Sequence, residues 1–381
     1  MKFRISQEEI SKTLLAVNKS LLAKVNLPIL ANILVSATKE KIEVLSTDLE
    51  TATRVVVSCK VEKEGKVALP GRTLLEFVSQ LPEGGVVFEK LDQEVLVATK
   101  NYSARLATMP AEDFPVIPKI EKGGTIMLAP RDFMKAIMKV AFCAAQEEGR
   151  PTLTGVLCEA QKTHLLLVAT DGYRLGFQRV SIVGGDPVSL KAVIPAKALI
   201  EVAKLISERA EELEGKSIKL VIADNFSQVN FKIGNIEFSA RVIEGEFPSW
   251  QKIIPTTFTT KVKVAKEEFI KLVRIASIFA RESGNIIRLK LEGGEKGKAA
   301  ALKVFAINNQ VGSNEAETRV ELSGEGGEIA FNFRYLLETL SSIEGEDVNF
   351  EMIESLNPGR FTETDGRGDF FHIIMPVRLQ S

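Results

Sequence analysis

Apolar residues recur along this chain at two alternating periods, and the alternation itself repeats. Ile10, Leu14 and Val17 stand at i, i+4 and i+7, the spacing of one buried helix face. Phe133, Ile137 and Val140 do the same, as do Phe269, Val273 and Ala276. Each run follows a short strand-like segment beginning at Phe3, Ile126 or Val262, and polar lead-ins (Ser6-Gln-Glu-Glu9, Pro130-Arg-Asp132, Ala265-Lys-Glu-Glu268) mark the helix starts. A second phrase also occurs three times. Lys66-Val-Ala-Leu-Pro-Gly-Arg-Thr-Leu-Leu-Glu-Phe-Val78 returns as Lys191-Ala-Val-Ile-Pro-Ala-Lys-Ala-Leu-Ile-Glu-Val-Ala203 and as Glu328-Ile-Ala-Phe-Asn-Phe-Arg-Tyr-Leu-Leu-Glu-Thr-Leu340. Between the helical phrases the period drops to two. Residues 41–46 alternate cleanly, 164–169 form the apolar run of a buried strand, and 94–98, 228–233 and 369–374 read as further strands.

Aligning Arg72, Lys197 and Arg334 spaces the copies by roughly 130 residues, the size of a domain rather than of a solenoid unit. The chain of 381 residues therefore reads as three tandem copies of an α+β fold, each built from two units of strand, helix and strands. Glu112-Asp-Phe-Pro-Val-Ile-Pro118 and Gly245-Glu-Phe-Pro-Ser-Trp-Gln-Lys-Ile-Ile-Pro255 are proline-stiffened crossings, which places the domains at 1–122, 123–254 and 255–381.

Composition adds little except by exclusion. With 45% hydrophobic and 26% charged residues the chain is of ordinary globular type, and no apolar run reaches the roughly 20 residues of a membrane span. Cys59, Cys143 and Cys158 are widely spaced without a Cys-x-x-Cys, and the N-terminus turns acidic too early for a signal peptide, so a cytoplasmic location is expected. Net charge is −1, and any electrostatic footprint must come from where the charges sit.

The search for catalysis finds almost nothing. His164 and His372 lie inside strand-like runs, and no zinc spacing or Gly-x-Ser-x-Gly occurs. Gly215-Lys216-Ser217 resembles the end of a phosphate loop, but Ala210 stands where its first glycine is required. Arg367-Gly-Asp369 is a chance tripeptide. Thr47-Asp48 and Thr170-Asp171 occupy equivalent places in two copies, with Asn308-Asn309 near that place in the third; a shared turn explains them better than paired carboxylates. The helices carry repeat-equivalent cations: Lys12, Lys135 and Lys271 in the first family, Arg72, Lys197 and Arg334 in the second. These fit a diffuse phosphate-tracking surface. They also fit solvated faces with ion pairs, since Glu76, Glu201 and Glu338 follow the second set by four residues. The apolar end, His372-Ile-Ile-Met-Pro-Val-Arg-Leu379, reads either as a last strand or as one wall of a groove for a peptide.

Thr170-Asp-Gly-Tyr-Arg-Leu175, Leu27-Pro-Ile-Leu-Ala-Asn32, Ser46-Thr-Asp-Leu-Glu50, Glu112-Asp-Phe-Pro115 and Met375-Pro-Val-Arg-Leu379 together resemble, in order and over the whole chain, the bacterial β sliding clamps. These are processivity subunits of the replicative DNA polymerase III. The resemblance implies two three-domain chains joined head to tail in a ring, helices lining the hole and sheets outside, around duplex DNA held without sequence specificity. It implies a non-catalytic protein with no metal and no cofactor, tethering the polymerase catalytic subunit, the clamp-loader ATPase, other polymerases and repair proteins through linear peptides. By motif match the groove comprises Leu153, Thr170, Gly172, Tyr173, Arg174, Leu175, Pro248, Ile253, Met375, Pro376, Val377, Arg378 and Leu379, with Arg174 framing the pocket. DNA contacts fall to Lys24, Arg72, Arg150 and Lys197, and the dimer interface to Leu106, Ile278 and Phe279. Ala104 stands where some members carry a large aromatic, and Gln380-Ser381 extends past the usual closing Arg-Leu. An enzyme acting on nucleotides or DNA, and a repeat scaffold that does not bind DNA, are the rival readings.

Overall fold

A computed structural model describes residues 1–21, 27–118, 120, 123–147, 149–186, 190–223, 225, 227–293, 300–308, 310–364 and 368–378. Each of the repeated phrases folds as a strand running into a helix. Along the chain these are Lys2–Ser6 into α1 (Gln7–Val17), Gly65–Pro70 into α2 (Gly71–Ser79) and Gly123–Leu128 into α3 (Pro130–Val140). Lys191–Pro195 into α4 (Ala196–Glu208), Thr260–Ala265 into α5 (Lys266–Ala280) and Gly327–Asn332 into α6 (Phe333–Ser342) follow. The chain forms two compact units, one of residues 1–134 with 181–243, the other of residues 135–180 with 244–381.

In the first unit, one antiparallel sheet runs in the order Lys60–Lys63, Lys2–Ser6, Gly85–Lys90, Glu94–Ala98, Ser103–Ala107. Alternation puts Phe3, Ile5, Val86, Phe88, Val95, Val97 and Leu106 inside, and α1 and α2 add Ile10, Leu14, Val17, Leu74 and Val78 to the same core. The helical spacing is thus the spacing of the buried face. Ser6 caps α1 by accepting the Glu9 amide at 3.2 Å. A longer antiparallel run joins Gly65–Pro70, Asn32–Thr38, Lys41–Thr47, Thr51–Ser58, Ile236–Arg241, Gln228–Ile233, Ile218–Ala223 and Gly123–Leu128 as successive neighbours.

In the second unit, Gly312–Arg319, Ala301–Asn308, Ile286–Glu292 and Gly327–Asn332 make a sheet in that order. Phe269, Val273, Ala276, Leu336 and Leu340 from α5 and α6 pack on its strands. Phe331, Phe350 and Phe361 stack and cross at centroid distances of 4.8–6.0 Å in the same core. Gly359 makes room for them, since a Cβ there would lie 2.6 Å from the Phe331 ring. The last strand, Phe370–Ile374, pairs on one side with Gly359–Glu363 and on the other with residues 174–178 of the strand Arg174–Gly185. It is both a closing strand and a neighbour of the Thr170–Leu175 motif.

Candidate functional site

The Thr-Asp pairs build turns. Thr170 Oγ1 donates to the Arg174 carbonyl at 2.6 Å and accepts the Gly172 amide at 3.0 Å. Asp171 Oδ1 accepts the Tyr173 and Arg174 amides at 2.9 and 3.0 Å. Gly172 supplies the left-handed φ of +91° that this turn needs. Thr47 and Asp48 make the same bonds to Leu49, Glu50 and Thr51, with Leu49 held at φ +75°. In the third copy Asn308 takes the aspartate's part, accepting the Gln310 and Val311 amides; Asn309 lies outside the described residues.

Arg174 sets the second turn apart. Only 7% of it is exposed. Its Nε donates to Asp171 Oδ2 at 3.0 Å, Nη2 to the Phe142 carbonyl at 2.8 Å, and Nη1 to Glu338 on α6. The guanidinium also lies over the Tyr335 and Phe142 rings at 4.6 and 5.3 Å. All three guanidinium nitrogens are hydrogen-bonded within the chain, so Arg174 holds the turn against α6.

The turn delivers the closing segment. The Tyr173 carbonyl accepts the Met375 amide at 2.8 Å, directly after the paired registers Arg174↔Ile374 and Leu175↔Ile373. The Val377 amide then donates to the Ala330 carbonyl at 2.9 Å. Met375, Pro376 and Val377 are half-buried and Arg378 is exposed; Leu379 lies outside the described residues. Leu153 and Leu175 are buried, Thr170 almost entirely so, Ile253 half-buried, and Tyr173 and Pro248 exposed. The segment 245–253 comes to the same place: a Cβ on Gly245 would lie 2.8 Å from Thr152, and Trp250 packs on Phe177 at 5.3 Å. A cavity of about 180 Å³ beside Val377 is lined by Ile329, Ala330, Ser355 and Leu356, none singled out from the sequence. Tyr335 was missed as well, although it left a signal: the repeat has Thr73 and Ala198 at its position.

Behind the turn, His372 is wholly buried. Its Nε2–H donates to the Lys139 carbonyl at 2.8 Å, which leaves Nδ1 to accept from the Thr339 hydroxyl at 3.3 Å. Burial pushes its pKa down to about 3, so the ring is neutral and structural.

The repeat-equivalent cations divide into two sets. In the first family Lys12 pairs with Glu8 at 2.9 Å and Glu212 at 3.7 Å, and Lys135 with Glu344 at 2.8 Å. In the second family Arg72, Lys197 and Arg334 are exposed, with no ion pair among the described residues. The carboxylates four residues on do not take them: Glu201 pairs with Lys204 at 2.8 Å, and Glu338 with Arg174. Of the six repeat-equivalent helix cations, the second set and Lys271 are therefore exposed and without an ion pair among the described residues. Arg150 has its guanidinium 3.9 Å from where a Gly172 Cβ would be, beside the turn; Lys24 lies outside the described residues. Leu106 is buried in the edge strand Ser103–Ala107, Ile278 is 60% exposed on α5, and Phe279 packs against the third copy's core. Among the described residues no cluster of three or more His, Cys, Asp or Glu is placed to hold a metal, and no helix is long and apolar enough to cross a membrane.

Three family models cover this architecture in succession: the N-terminal, central and C-terminal domains of the DNA polymerase III beta subunit match residues 1–118, 127–249 and 251–378. The chain belongs to that family, and it has the three-domain clamp fold of mixed helix and sheet. Its function is the family's: a sliding clamp and processivity factor in DNA replication, without catalytic activity of its own. The beta sliding clamp of Chlamydia muridarum is 28% identical over 380 residues, covering 100% of this chain and 99% of that one. The DNA polymerase sliding clamp of Bacillus subtilis superposes with a TM-score of 0.92 at 24% identity, over 100% of both chains. A sliding clamp of Pseudomonas aeruginosa solved bound to griselimycin superposes at 0.91 with 27% identity, again over 100% of both.

Proposed function

We propose that two copies of this chain close head to tail into a ring around duplex DNA, with domains at 1–122, 123–254 and 255–381. The observation that carries this reading is the second cation set. Arg72, Lys197 and Arg334 are exposed and unpaired among the described residues at one repeat-equivalent helix position, in a protein of net charge −1. That arrangement attracts a phosphate backbone weakly and without reading bases. Ring closure has a matching geometry, because Ser103–Ala107 and Gly312–Arg319 are edge strands of their sheets, open to pairing with a second chain. Ile278 and Phe279 stand on the helix that covers the Gly312–Arg319 sheet, and Leu106 on the other edge strand.

The second element of the reading is a peptide groove of Leu153, Thr170, Gly172, Tyr173, Arg174, Leu175, Pro248, Ile253 and Met375–Leu379, while Lys24 and Arg150 join Arg72 and Lys197 as DNA contacts. Partners in the cytoplasm are the polymerase catalytic subunit, the clamp-loader ATPase, and other polymerases and repair proteins carrying linear motifs. Griselimycin bound to the Pseudomonas aeruginosa clamp supports a ligand-binding surface on this fold. The decisive test loads the protein onto nicked circular DNA with its loader ATPase and ATP, then linearises the DNA. Retention on circles and run-off from free ends is expected; equal retention on both refutes topological binding.

A further inference from the structure

We infer that the seam between two copies of the chain is fastened by an ion pair from Lys271 to Glu83 of the partner subunit, an inference that rests on the proposed head-to-tail ring. Two of the three first-helix lysines set the rule. Where copies one and two meet, Lys12 of α1 reaches Glu212 at 3.7 Å, in the connection that follows α4. Where copies two and three meet, Lys135 of α3 reaches Glu344 at 2.8 Å, in the connection that follows α6. Each lysine takes its carboxylate from the next copy along the chain, just past the end of that copy's second helix. The strands keep the same order. Residues 51–55 of copy one pair with 236–240 of copy two, and 174–178 of copy two pair with 370–374 of copy three.

Copy three has no next copy in its own chain. Its lysine, Lys271 on α5, is exposed and has no ion pair among the described residues. Copy one has no preceding copy, and the connection after α2 holds the carboxylate left over. The three connections are built alike. Each is anchored by one buried apolar residue, Leu81, Leu213 or Ile343, with a carboxylate at most two residues from it, Glu83, Glu212 or Glu344. Glu83 is exposed and, like Lys271, has no ion pair among the described residues. The order that pairs the inner lysines therefore leaves one cation and one anion, at opposite ends of the chain, for a second copy to join. Ile278 stands seven residues beyond Lys271 on the same face of α5 and is 60% exposed, so one stripe of that helix offers the partner both a charge and an apolar side chain. The edge strands Gly312–Arg319 and Ser103–Ala107 occupy the places of the paired strands at the inner joints.

Sedimentation of the full-length protein measures the dimer constant. A two-fold ring contains the seam twice, so each substitution acts at two places. Lys271→Glu and Glu83→Lys, both at exposed positions, turn attraction into repulsion, and each should weaken the dimer by about tenfold or more. The double variant restores opposite charges and should return to within about threefold of the wild-type constant. Lys12→Glu, whose partner lies in its own chain, should lower the Tm and leave the dimer constant unchanged. A dimer that neither single reversal weakens, or that the double variant fails to rescue, overturns the pair while the ring reading stands. Weakening by Lys12→Glu equal to that by Lys271→Glu overturns it as well. A wild-type chain that stays monomeric overturns the ring reading, and the pair with it.

Discussion

The turns at 47–51 and 170–174 share the same internal hydrogen bonds and differ in what stands at the last position. In the first, Thr51 has only a short hydroxyl, which meets Asp48 within the turn at 3.0 Å and Ser20 of the turn that follows α1 at 3.1 Å. In the second, Arg174 reaches out of the turn to α6 and to Phe142. One residue converts a local corner into the fastening point of three elements. The repeat supplies the fold, and a single departure from it supplies the place where partners are proposed to dock.

Breaking the fastening should have the largest effect. Arg174→Met strips Asp171 and Glu338 of their cation and should cost about 3 kcal/mol. Hydrogen exchange should show lost amide protection at 170–175 and weaker peptide binding, while Thr51→Val leaves the groove unaffected. Acid separates the regions next. The folded pKa of His372, about 3, lies below the usual 6.5, so the unfolded chain takes up the proton first. Its penalty is absent above 6.5 and grows as pH falls toward 3, reaching about 2 kcal/mol by pH 5. Exchange at 170–178 should then accelerate below pH 6 more than at 44–54, and His372→Gln should flatten the difference. Gly172→Ala forces a side chain into the left-handed region and should cost about 1 kcal/mol, whereas Leu49→Gly is near neutral, strain relief being offset by the freer unfolded chain. Thermal melts of both variants check this. The smallest effect distinguishes the aspartates. Asp48→Asn should change stability by less than about 0.5 kcal/mol, as Asn308 already performs that part, while Asp171→Asn also weakens the bond to Arg174 and should cost more. Equal losses in this pair would remove the distinction between the turns.

Much of the fold was legible because its signals are local. The i, i+4, i+7 faces, the strand lead-ins and the Thr-Asp turns each depend on neighbours within one helix or one hairpin. The turn at 170–175 and the apolar segment 372–379 were each legible on their own, and the strand pairing that brings Arg174–Gln178 beside Phe370–Ile374 was not. Charge pairing was not legible in the same way. Glu76, Glu201 and Glu338 stand at ion-pair spacing from Arg72, Lys197 and Arg334, yet Glu201 bonds Lys204 and Glu338 bonds a residue 164 positions away. A helix period fixes which residues share a face, and the partner still depends on what the fold brings near. Arg54 illustrates the same gap, since one of its carboxylates, Glu43, comes from the neighbouring strand and the other, Glu237, from a strand of the next copy. Tyr335 could have been found by asking where a repeat breaks its own size rule.

The division of cations between the two helix families has a mechanical meaning on the proposed reading. Lys12 and Lys135 are already held by carboxylates, which leaves Arg72, Lys197, Arg334 and, where no partner carboxylate holds it, Lys271 as the repeat-equivalent cations presented to the duplex. Single charges of similar strength make shallow wells of similar depth, and a helical backbone moving past them leaves one as it meets another. The energy of the complex then varies little with position along the axis. Friction stays low because no step requires several contacts to break together.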